Sequence, residues 1–379
     1  MPLFSSRIRQ ALAERNQKGL NRSVCLVDGG NTSKLTNDGL EYLNFSSNDY
    51  LGLAADKELT KVWQAGLDMY GNGSGASPLV TGFCSAHQRL EETLCNWLGF
   101  ERAVLFSSGF SANQALLFSL LQKGDLLLQD KLNHASLMEA GMLSPATMKR
   151  FRHNDVKHLT SLLSDSALVV TEGVFSMDGD LAPLADIYSK VSGKAWLAVD
   201  DAHGIGVLGS NGQGSCAAAG IQPELLVVTF GKAFGLSGAA IMCSSEVGDY
   251  LTQFARHHVY STSIPPAQAV ALTYAAEMIQ TQQWRRDKLS ELNEHYHDAL
   301  SDIEGYQHTH TSIKPFVIGR SEDAVGVAEQ LKNAGIWVTA IRPPTVPNGS
   351  ARLRITLTAR HELHHIDRLA TEIKRAVEK

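Results

Sequence analysis

The feature that most constrains the fold is a pattern, repeated from residue 103 onward, of an apolar run, a polar tip and a helix-like stretch. Short strands that alternate with helices indicate a largely parallel sheet with helices on both faces. Ligands bind such sheets beyond the carboxyl ends of the strands, so the polar tips are expected to converge on one pocket. The runs are 103–106, 126–128, 168–170, 195–199 and 225–228, and the tips that follow them are 107–110, Asp130 to His134, Glu172 with Ser176, Asp200 with His203, and Thr229 with Lys232.

A chain of 379 residues is longer than one hydrophobic core usually supports, so more than one domain is expected. An amphipathic helix is predicted near the start, and the alternating pattern ends in a long helical stretch after residue 265. Further strands, at 313–318, 336–341 and 352–357, surround a helix near the end of the chain. We therefore predict an N-terminal helix and strand segment (1–50), a large cofactor-binding domain (51–290) and a small C-terminal domain (291–379).

Composition narrows the class of protein. The formal net charge is -5 and no basic run with interleaved aromatic residues occurs, which argues against nucleic acid binding. No stretch has the length of a signal-peptide core or of a membrane span, so we expect no membrane partner and a cytoplasmic location. The five cysteines form no CxxC pair, which fits scattered reduced thiols.

Lys232 is the candidate centre of the chemistry. A buried apolar strand stops at Thr229, and the lysine follows in a turn between Gly231 and Gly235. An apolar pocket disfavours the ammonium form and lowers the pKa of a lysine, so its neutral amine can condense with an aldehyde. The two glycines leave room for a flat ring.

Three other tips match what a pyridine aldehyde phosphate requires. The amides of residues 108–110 precede a helix, where a phosphate dianion binds well. Asp200 ends a hydrophobic strand and can pair with a protonated pyridine nitrogen. His134 can lie against the ring and His203 can hydrogen-bond the ring oxygen. Structural roles, a carboxylate that caps a turn or a histidine satisfied in the core, are the alternatives for these residues.

The run at 352–357 alternates strictly between apolar and other side chains. Leu353, Ile355 and Leu357 are expected to face a core, which places Arg352 and Arg354 on the opposite side. An arginine held on a strand is a good bidentate clamp for a carboxylate.

Two motifs suggest other functions. Residues 204–209 match the G-x-G-x-x-G fingerprint of dehydrogenases, but a loop composition follows where a helix should begin. Residues 361–365 match the H-E-x-x-H motif of zinc hydrolases, but no histidine follows to supply a third ligand. We therefore expect neither a nicotinamide cofactor nor a metal.

Taken together, these residues resemble the α-oxoamine synthases, pyridoxal-phosphate (PLP) enzymes that join an amino acid to an acyl thioester with loss of carbon dioxide. The resemblance runs from residue 44 to residue 357. One departure is that many members carry an arginine in the loop where this chain has Pro78 and Leu79. The resembling segments are NFSSNDYLGL, SSGFSANQA, NHASL, EGVFSMDGD, VDDAHGIG, TFGKAFG and ARLRITL.

The resemblance implies an α/β PLP-dependent transferase fold of the aminotransferase-like type (fold type I), in which a mainly parallel sheet forms the large domain and a smaller α/β domain follows. It implies a homodimer and a Schiff base between Lys232 and PLP. The catalytic residues it implies are Lys232, His134 and Asp200. The cofactor-binding residues are Gly109, Phe110, His134, Ser176, Asp200, His203, Thr229 and Lys232, and the substrate-binding residues are Arg22, Asn48, His134, Thr345 and Arg354.

Within the family, FARHHVYSTSIPP (254–266) and AIRPPTVP (340–347) resemble the members that condense L-alanine with a pimeloyl thioester more than the members that use glycine or serine. The expected acyl donor is pimeloyl-CoA or pimeloyl-acyl carrier protein. A glycine C-acetyltransferase or 5-aminolevulinate synthase type of enzyme is the alternative.

Overall fold

The computed structural model describes residues 3–18, 20–29 and 32–378. Its helices are α1 (Leu3–Gln17), α2 (Lys57–Tyr70), α3 (Ser85–Leu98), α4 (Gly109–Leu120), α5 (Ala135–Leu143), α6 (Val156–Leu162), α7 (Leu184–Val191), α8 (Ser215–Ala218), α9 (Ser245–Phe254), α10 (Arg256–Val259), α11 (Pro266–Thr281), α12 (Trp284–Leu300), α13 (Ser321–Asn333) and α14 (Leu363–Val377). Its strands are β1 (Lys34–Asn37), β2 (Leu40–Asn44), β3 (Arg102–Phe106), β4 (Leu126–Asp130), β5 (Thr147–Phe151), β6 (Ala167–Glu172), β7 (Trp196–Asp200), β8 (Leu225–Thr229), β9 (Ala239–Cys243), β10 (Ile313–Gly319), β11 (Ile336–Trp337), β12 (Thr339–Ile341) and β13 (Ala351–Thr356).

A seven-stranded sheet in the order β3-β9-β8-β7-β6-β4-β5 forms the centre of the large domain. Strands β5, β4, β6, β7 and β8 are parallel to one another, and β9 lies antiparallel between β8 and β3. Since the five consecutive parallel strands all end at the same edge, that edge gathers the residues that follow them.

Alternate residues of the central strands enter two different cores. In β8, Leu226 and Val228 join the apolar cluster on one face of the sheet, and Leu225 and Val227 join the cluster on the other. Each fully buried side chain of this kind contributes about 1.5–3 kcal/mol. The sheet is thereby fixed between two helical layers. Because both of its faces are apolar, the polar side chains of these strands lie at the strand ends.

The small domain is built on the antiparallel sheet β10-β13-β12. Leu353, Ile355 and Leu357 are fully buried in its core, as the alternation at 352–357 predicts. Strand β2 contributes Leu43 to the same core, and it pairs with β11. The single strand expected at 336–341 is divided, because β11 pairs with β2 whereas β12 pairs with β13.

Helix α1 does not pack into the hydrophobic cores of the described chain. None of its described residues is buried, and Phe4, Ile8 and Leu12 are each more than half exposed. Residues Pro78–Gly82 form a short π-helical turn, on which Val80 is 73% exposed. Among the described helices, none is long and apolar enough to span a membrane.

Candidate active site

A cavity of about 290 Å³ lies at the carboxyl ends of β6, β7 and β8, where the polar tips are predicted to meet. Helices α4 and α5 begin at its wall. The predicted site residues that line it are Asn48, Gly109, Phe110, His134, Asp200, His203, Thr229 and Lys232.

A second, larger cavity of about 540 Å³ lies at the opposite edge of the sheet. Its walls include Asp125, Lys194, Trp196 and Glu224. The Glu224 carboxylate is engaged there, since the Leu197 amide donates to it at 2.8 Å. Within the described part of the chain, no predicted site residue lines this second cavity.

Lys232 stands just after β8, in a turn shaped by Gly235. The φ angle of Gly235 is +67°, and a Cβ there would collide with the backbone at Leu53 and Ala54, so only glycine fits. Burial lowers the pKa of Lys232, whereas the nearby carboxylates of Asp200 and Glu172 act in the opposite direction. The net shift favours the neutral amine that condensation with an aldehyde requires.

The first turn of α4 forms one end of the cavity. Ser108 caps the helix through a hydrogen bond from the Ser111 amide to its Oγ at 3.1 Å. The amides of Gly109 and Phe110 belong to the first turn, which has no earlier helical carbonyl to bond, so they can bind an anion. Gly109 packs against Thr229 so closely that an added Cβ would lie 2.6 Å from Thr229 Cγ2. Helix and strand end therefore form one cradle.

Asp200, the last residue of β7, is held at both carboxylate oxygens. The Ala202 amide donates to Oδ1 at 3.0 Å, and Asn113 Nδ2 donates to Oδ2 at 2.7 Å. The side chain is buried but still lines the cavity. The neighbouring Asp201 is directed into the protein, where it accepts from the amide and hydroxyl of Ser215. Of the two adjacent aspartates, only Asp200 lines the cavity.

His134 caps α5 and lines the same cavity. Its Nδ1 lies 2.9 Å from Ser136 Oγ and also accepts from the Ser136 amide at 3.3 Å. Burial lowers the pKa of His134, with Asp200 acting against the shift and Lys232 adding to it. A neutral imidazole that accepts at Nδ1 carries its hydrogen on Nε2, so His134 is a hydrogen-bond donor there.

His203 is fixed by a tyrosine. Its Nδ1 lies 2.6 Å from Tyr50 Oη, and burial raises the pKa of Tyr50 to about 12, so the phenol stays protonated. Burial also holds the pKa of His203 well below its ordinary value, with Lys232 and Arg354 adding to the shift. His203 is therefore neutral, and an imidazole that accepts from Tyr50 at Nδ1 carries its hydrogen on Nε2.

Arg354 connects the small domain to this site. It projects from β13, and its Nε donates to the Ser176 carbonyl at 2.7 Å while its Nη1 donates to Asn48 Oδ1 at 3.1 Å. Asn48 lines the cavity, so the guanidinium stands at its margin. On the same strand, Arg352 forms an ion pair with Asp178, in the loop that also carries Ser176.

Two predicted substrate residues lie apart from the cavity in this chain. Arg22 is exposed in the segment between α1 and β1, and Thr345 is exposed in the loop between β12 and β13. Their substrate contacts remain predictions.

Sequence reasoning missed three polar residues of the cavity and gave no role to a fourth, Glu172. Glu172 is opposite Asp200 in the register of β6 and β7, and burial raises its pKa well above the ordinary value, with Asp200 adding to the shift. A signal existed for Asn113, which lies four residues after Gly109 and hence on the same face of α4. The cavity residues missed are Asn113, Ser136 and Ser237. Tyr50, which contacts His203, was missed as well.

The two competing motifs have structural explanations. Residues 204–209 form turns and open no helix. His361 is fully buried, with its Nε2 3.0 Å from the Asn44 carbonyl and its ring stacked on Phe45, and burial lowers its pKa to about 3. In the described part of the chain, no group of three or more His, Cys, Asp or Glu side chains is arranged to hold a metal.

Comparison with known proteins identifies the class. A profile of the family described as aminotransferase class I and II matches residues 41–373, and the chain belongs to this family. Among curated relatives, the 8-amino-7-oxononanoate synthase of Vibrio campbellii is 66% identical over 380 residues, covering 100% of this chain and 99% of the relative. The 8-amino-7-oxononanoate synthase of Vibrio atlanticus is 65% identical over 382 residues, covering 100% and 95%.

Comparison with solved structures supports the same family assignment. A serine palmitoyltransferase from S. paucimobilis with PLP and myriocin bound superimposes with a TM-score of 0.92 at 26% identity, covering 98% of each chain. The predictions of an α-oxoamine synthase, of the fold type I architecture and of PLP as the cofactor are thereby confirmed.

The cavity residues fit PLP. Thr229 Oγ1 is buried without a hydrogen-bond partner beside the first turn of α4, where a phosphate oxygen would satisfy it. Asp200 supplies an acceptor for a pyridine N–H, and Lys232 supplies an amine for the aldehyde. Phosphate donors, a carboxylate and an amine are thus present in one cavity.

Proposed function

We propose that this chain catalyses the decarboxylative condensation of L-alanine with a pimeloyl thioester, which yields 8-amino-7-oxononanoate, carbon dioxide and the free thiol carrier, a step of biotin synthesis. The observation that carries the proposal is full-length identity of 65–66% to relatives of that name, together with the cavity built around Lys232. Pimeloyl-CoA and pimeloyl-acyl carrier protein are the two candidate donors.

When bound, PLP supplies an aldehyde that joins to the amino group of alanine and a protonated ring that withdraws electrons from the α-carbon. The Asp200 carboxylate would hold the proton on the pyridine nitrogen. His203 would donate from Nε2 to the ring oxygen, and the amides of Gly109 and Phe110 would hold the phosphate together with Thr229 Oγ1.

Three residues act on the reactants. Once alanine replaces it at the aldehyde, the Lys232 amine removes the α-proton and later returns a proton to carbon. Arg354 binds the alanine carboxylate, and its place at the cavity margin supports this role. His134 would lie against the ring and would donate from Nε2 to the oxygen of the thioester carbonyl as that carbon is attacked.

A homodimer is part of the same proposal. Large apolar side chains are exposed on the surface, including Leu79 at 51%, Val80 at 73%, Phe110 at 41% and Tyr260 at 78%. Phe110 lines the cavity, and Pro78 and Ser261, the sequence neighbours of the others, line a pocket that shares Ser107 with it. Exposed apolar residues grouped near a site favour a protein partner, and a second copy with two-fold symmetry is the commonest. Helix α1 has no buried residue among those described, so its apolar side chains are also available to pack against a second copy of the chain.

Light scattering coupled to gel filtration tests the dimer. A mass near twice 41.1 kDa is expected, and Val80→Glu should shift it toward the monomer. A monomeric wild-type protein that retains full activity would overturn the proposed homodimer.

A cytoplasmic location is also proposed. The five cysteines are free thiols, which fits a reducing compartment.

The decisive experiment compares amino acids and acyl donors. Purified protein loaded with PLP is incubated with alanine, glycine or serine and with pimeloyl-, acetyl- or succinyl-CoA, and mass spectrometry identifies the products. We expect alanine with the pimeloyl donor to give the highest kcat/KM. A higher value for glycine with an acetyl or succinyl donor would instead assign the glycine C-acetyltransferase or 5-aminolevulinate synthase reaction.

A further inference from the structure

A continuous chain of hydrogen bonds joins the two predicted ring-contacting residues. His134 Nδ1 lies 2.9 Å from Ser136 Oγ, Asn113 Nδ2 donates to Ser136 Oγ at 2.9 Å, and the same Nδ2 donates to Asp200 Oδ2 at 2.7 Å. All four residues line the cavity. His134 and Asp200, the two residues predicted to contact the ring, therefore share one network.

The direction of each hydrogen bond follows from the donors available. Asn113 Nδ2 has two hydrogens, and its two acceptors are Asp200 Oδ2 and Ser136 Oγ. The opposite amide orientation would place an oxygen 2.7 Å from the carboxylate, where two acceptors repel. Because Ser136 Oγ accepts from Asn113, its own hydrogen is free for His134 Nδ1. The network thus runs from amide to hydroxyl to imidazole and has a single polarity.

Burial makes this arrangement rigid. Asn113 is 1% exposed and Ser136 is fully buried, so neither can exchange its partners for water. Asn113 lies on α4 and Ser136 on α5, two helices that pack together and whose first turns form the cavity wall. Asn113 Oδ1 has no hydrogen-bond partner, which shows that the amide is placed for its donors.

We propose that Asn113 and Ser136 are positioning residues: Asn113 holds the Asp200 carboxylate in the orientation that meets the pyridine nitrogen, and Ser136 extends this hold to His134. The inference rests on the role given to Asp200 in the proposed function. The Ala202 amide restrains the other carboxylate oxygen but contacts neither helix residue, so Asn113 alone links Asp200 to His134 among the described hydrogen bonds.

The test replaces donors without changing the cavity wall. Asn113→Leu removes the amide and keeps the branched shape of the side chain. Ser136→Ala breaks the link to His134 and the hydrogen bond accepted from Asn113, but it leaves the hydrogen bond from Asn113 to Asp200 in place. Asn37→Leu is the matched control, since Asn37 is also buried (5% exposed) but donates to the Leu26 carbonyl, far from the cavity along the chain. Thr273→Val is the control for Ser136, because its hydroxyl is buried in α11 and donates only locally to Ala269.

Two readouts separate positioning from folding. In protein loaded with nitrogen-15 PLP, the NMR shift of the pyridine nitrogen reports whether it is protonated, and steady-state kinetics report kcat and KM. For Asn113→Leu we expect the shift to move toward unprotonated nitrogen and kcat to fall about 10- to 100-fold with KM for alanine nearly unchanged. For Ser136→Ala we expect a smaller fall in kcat with the pyridine nitrogen still protonated.

Several outcomes would overturn the inference. A protonated pyridine nitrogen and kcat within about twofold of wild type in Asn113→Leu would do so, as would an equal loss in Asn37→Leu. If Asn113→Leu does not fold, Asn113→Ala, which removes the donor without adding bulk, is measured under the same criteria. Asp200→Asn distinguishes failure of the proposed function from failure of this inference. If the pyridine nitrogen stays protonated in Asp200→Asn as well as in Asn113→Leu, the role proposed for Asp200 fails. If the nitrogen loses its proton in Asp200→Asn but not in Asn113→Leu, only the role of Asn113 fails.

Discussion

The two edges of the central sheet carry cavities of opposite character. The cavity at the amino ends is the larger, about 540 Å³ against about 290 Å³, but its charged groups lie at the surface or are engaged, as Glu224 is by the Leu197 amide. The smaller cavity gathers buried titratable groups with shifted pKa values and polar atoms without partners, such as Thr229 Oγ1. Shifted pKa values and unpartnered buried polar atoms, and not the volume of the cavity, identify the reactive edge of the sheet.

The largest effect should come from the carboxyl edge itself. Lys232→Ala removes both the amine that bonds the aldehyde and the base for the α-proton, so kcat should fall by about 10⁴-fold or more. Stopped assays with product detection by mass spectrometry measure this, and circular dichroism should show an unchanged fold. Retention of a tenth of the wild-type rate would contradict the assignment of Lys232.

A smaller effect is expected where the small domain meets this edge. Arg354→Lys loses the fork that can grip a carboxylate with two hydrogen bonds, so KM for L-alanine should rise roughly 10- to 100-fold while kcat changes less. Arg352→Lys is the matched control on the same strand, since Arg352 pairs with Asp178 and should leave KM within about threefold. Equal increases in both variants would mean that Arg354 is structural.

Charge also stabilises the loop that carries Ser176. His153 lies between Asp130 and Asp180, 2.9 and 2.7 Å from their oxygens, and although burial acts against it, these carboxylates raise the pKa of His153 to about 10. Because the pKa is raised in the folded state, the stabilisation is complete below about pH 6.5 and is lost as the pH rises through about 10.

His153→Gln should accordingly lower the free energy of unfolding by about 1–3 kcal/mol at pH 6, as measured by urea denaturation. The difference from wild type should shrink steadily between pH 6.5 and 10. A difference that stays constant across this range would show that the imidazolium form contributes nothing.

The smallest effects are expected at the opposite edge. Lys194→Ala and Glu224→Gln should leave kcat and KM within about twofold and the free energy of unfolding within about 0.5 kcal/mol, because both positions tolerate solvent or a neutral acceptor. A large loss of activity in either variant would break the contrast between the two edges and point to a second functional cavity.

Much of the architecture follows from the sequence because a polar residue after a short apolar run marks the end of a buried strand. Asp200 and Lys232 each interrupt or follow an apolar run, and that pattern alone places them at one edge of a parallel sheet. Strand β9 escaped prediction, since its apolar run of small residues pairs antiparallel between two strands distant in the chain. The division of 336–341 between two sheets depends on partners that no local pattern specifies.

The same reason limits prediction of the site. Asn113 and Ser136 belong to helices whose mutual contact is set by packing, so their shared hydrogen bond has no local signature. Tyr50 and His203 are separated by 153 positions and meet only through the fold. The positions of Arg22 and Thr345 relative to the cavity could not be read from periodicity either, because both lie in irregular segments.

The hydrogen bonds of Arg354 have a thermodynamic consequence. Its guanidinium is already restrained by Ser176 and Asn48 in the folded chain, so its rotamer freedom, about 1.5–2 kcal/mol for a long side chain, is lost during folding and not when the amino acid arrives. A small ligand such as alanine offers few contacts to offset such an entropy loss. A preordered clamp lets nearly all of its carboxylate interaction appear as affinity.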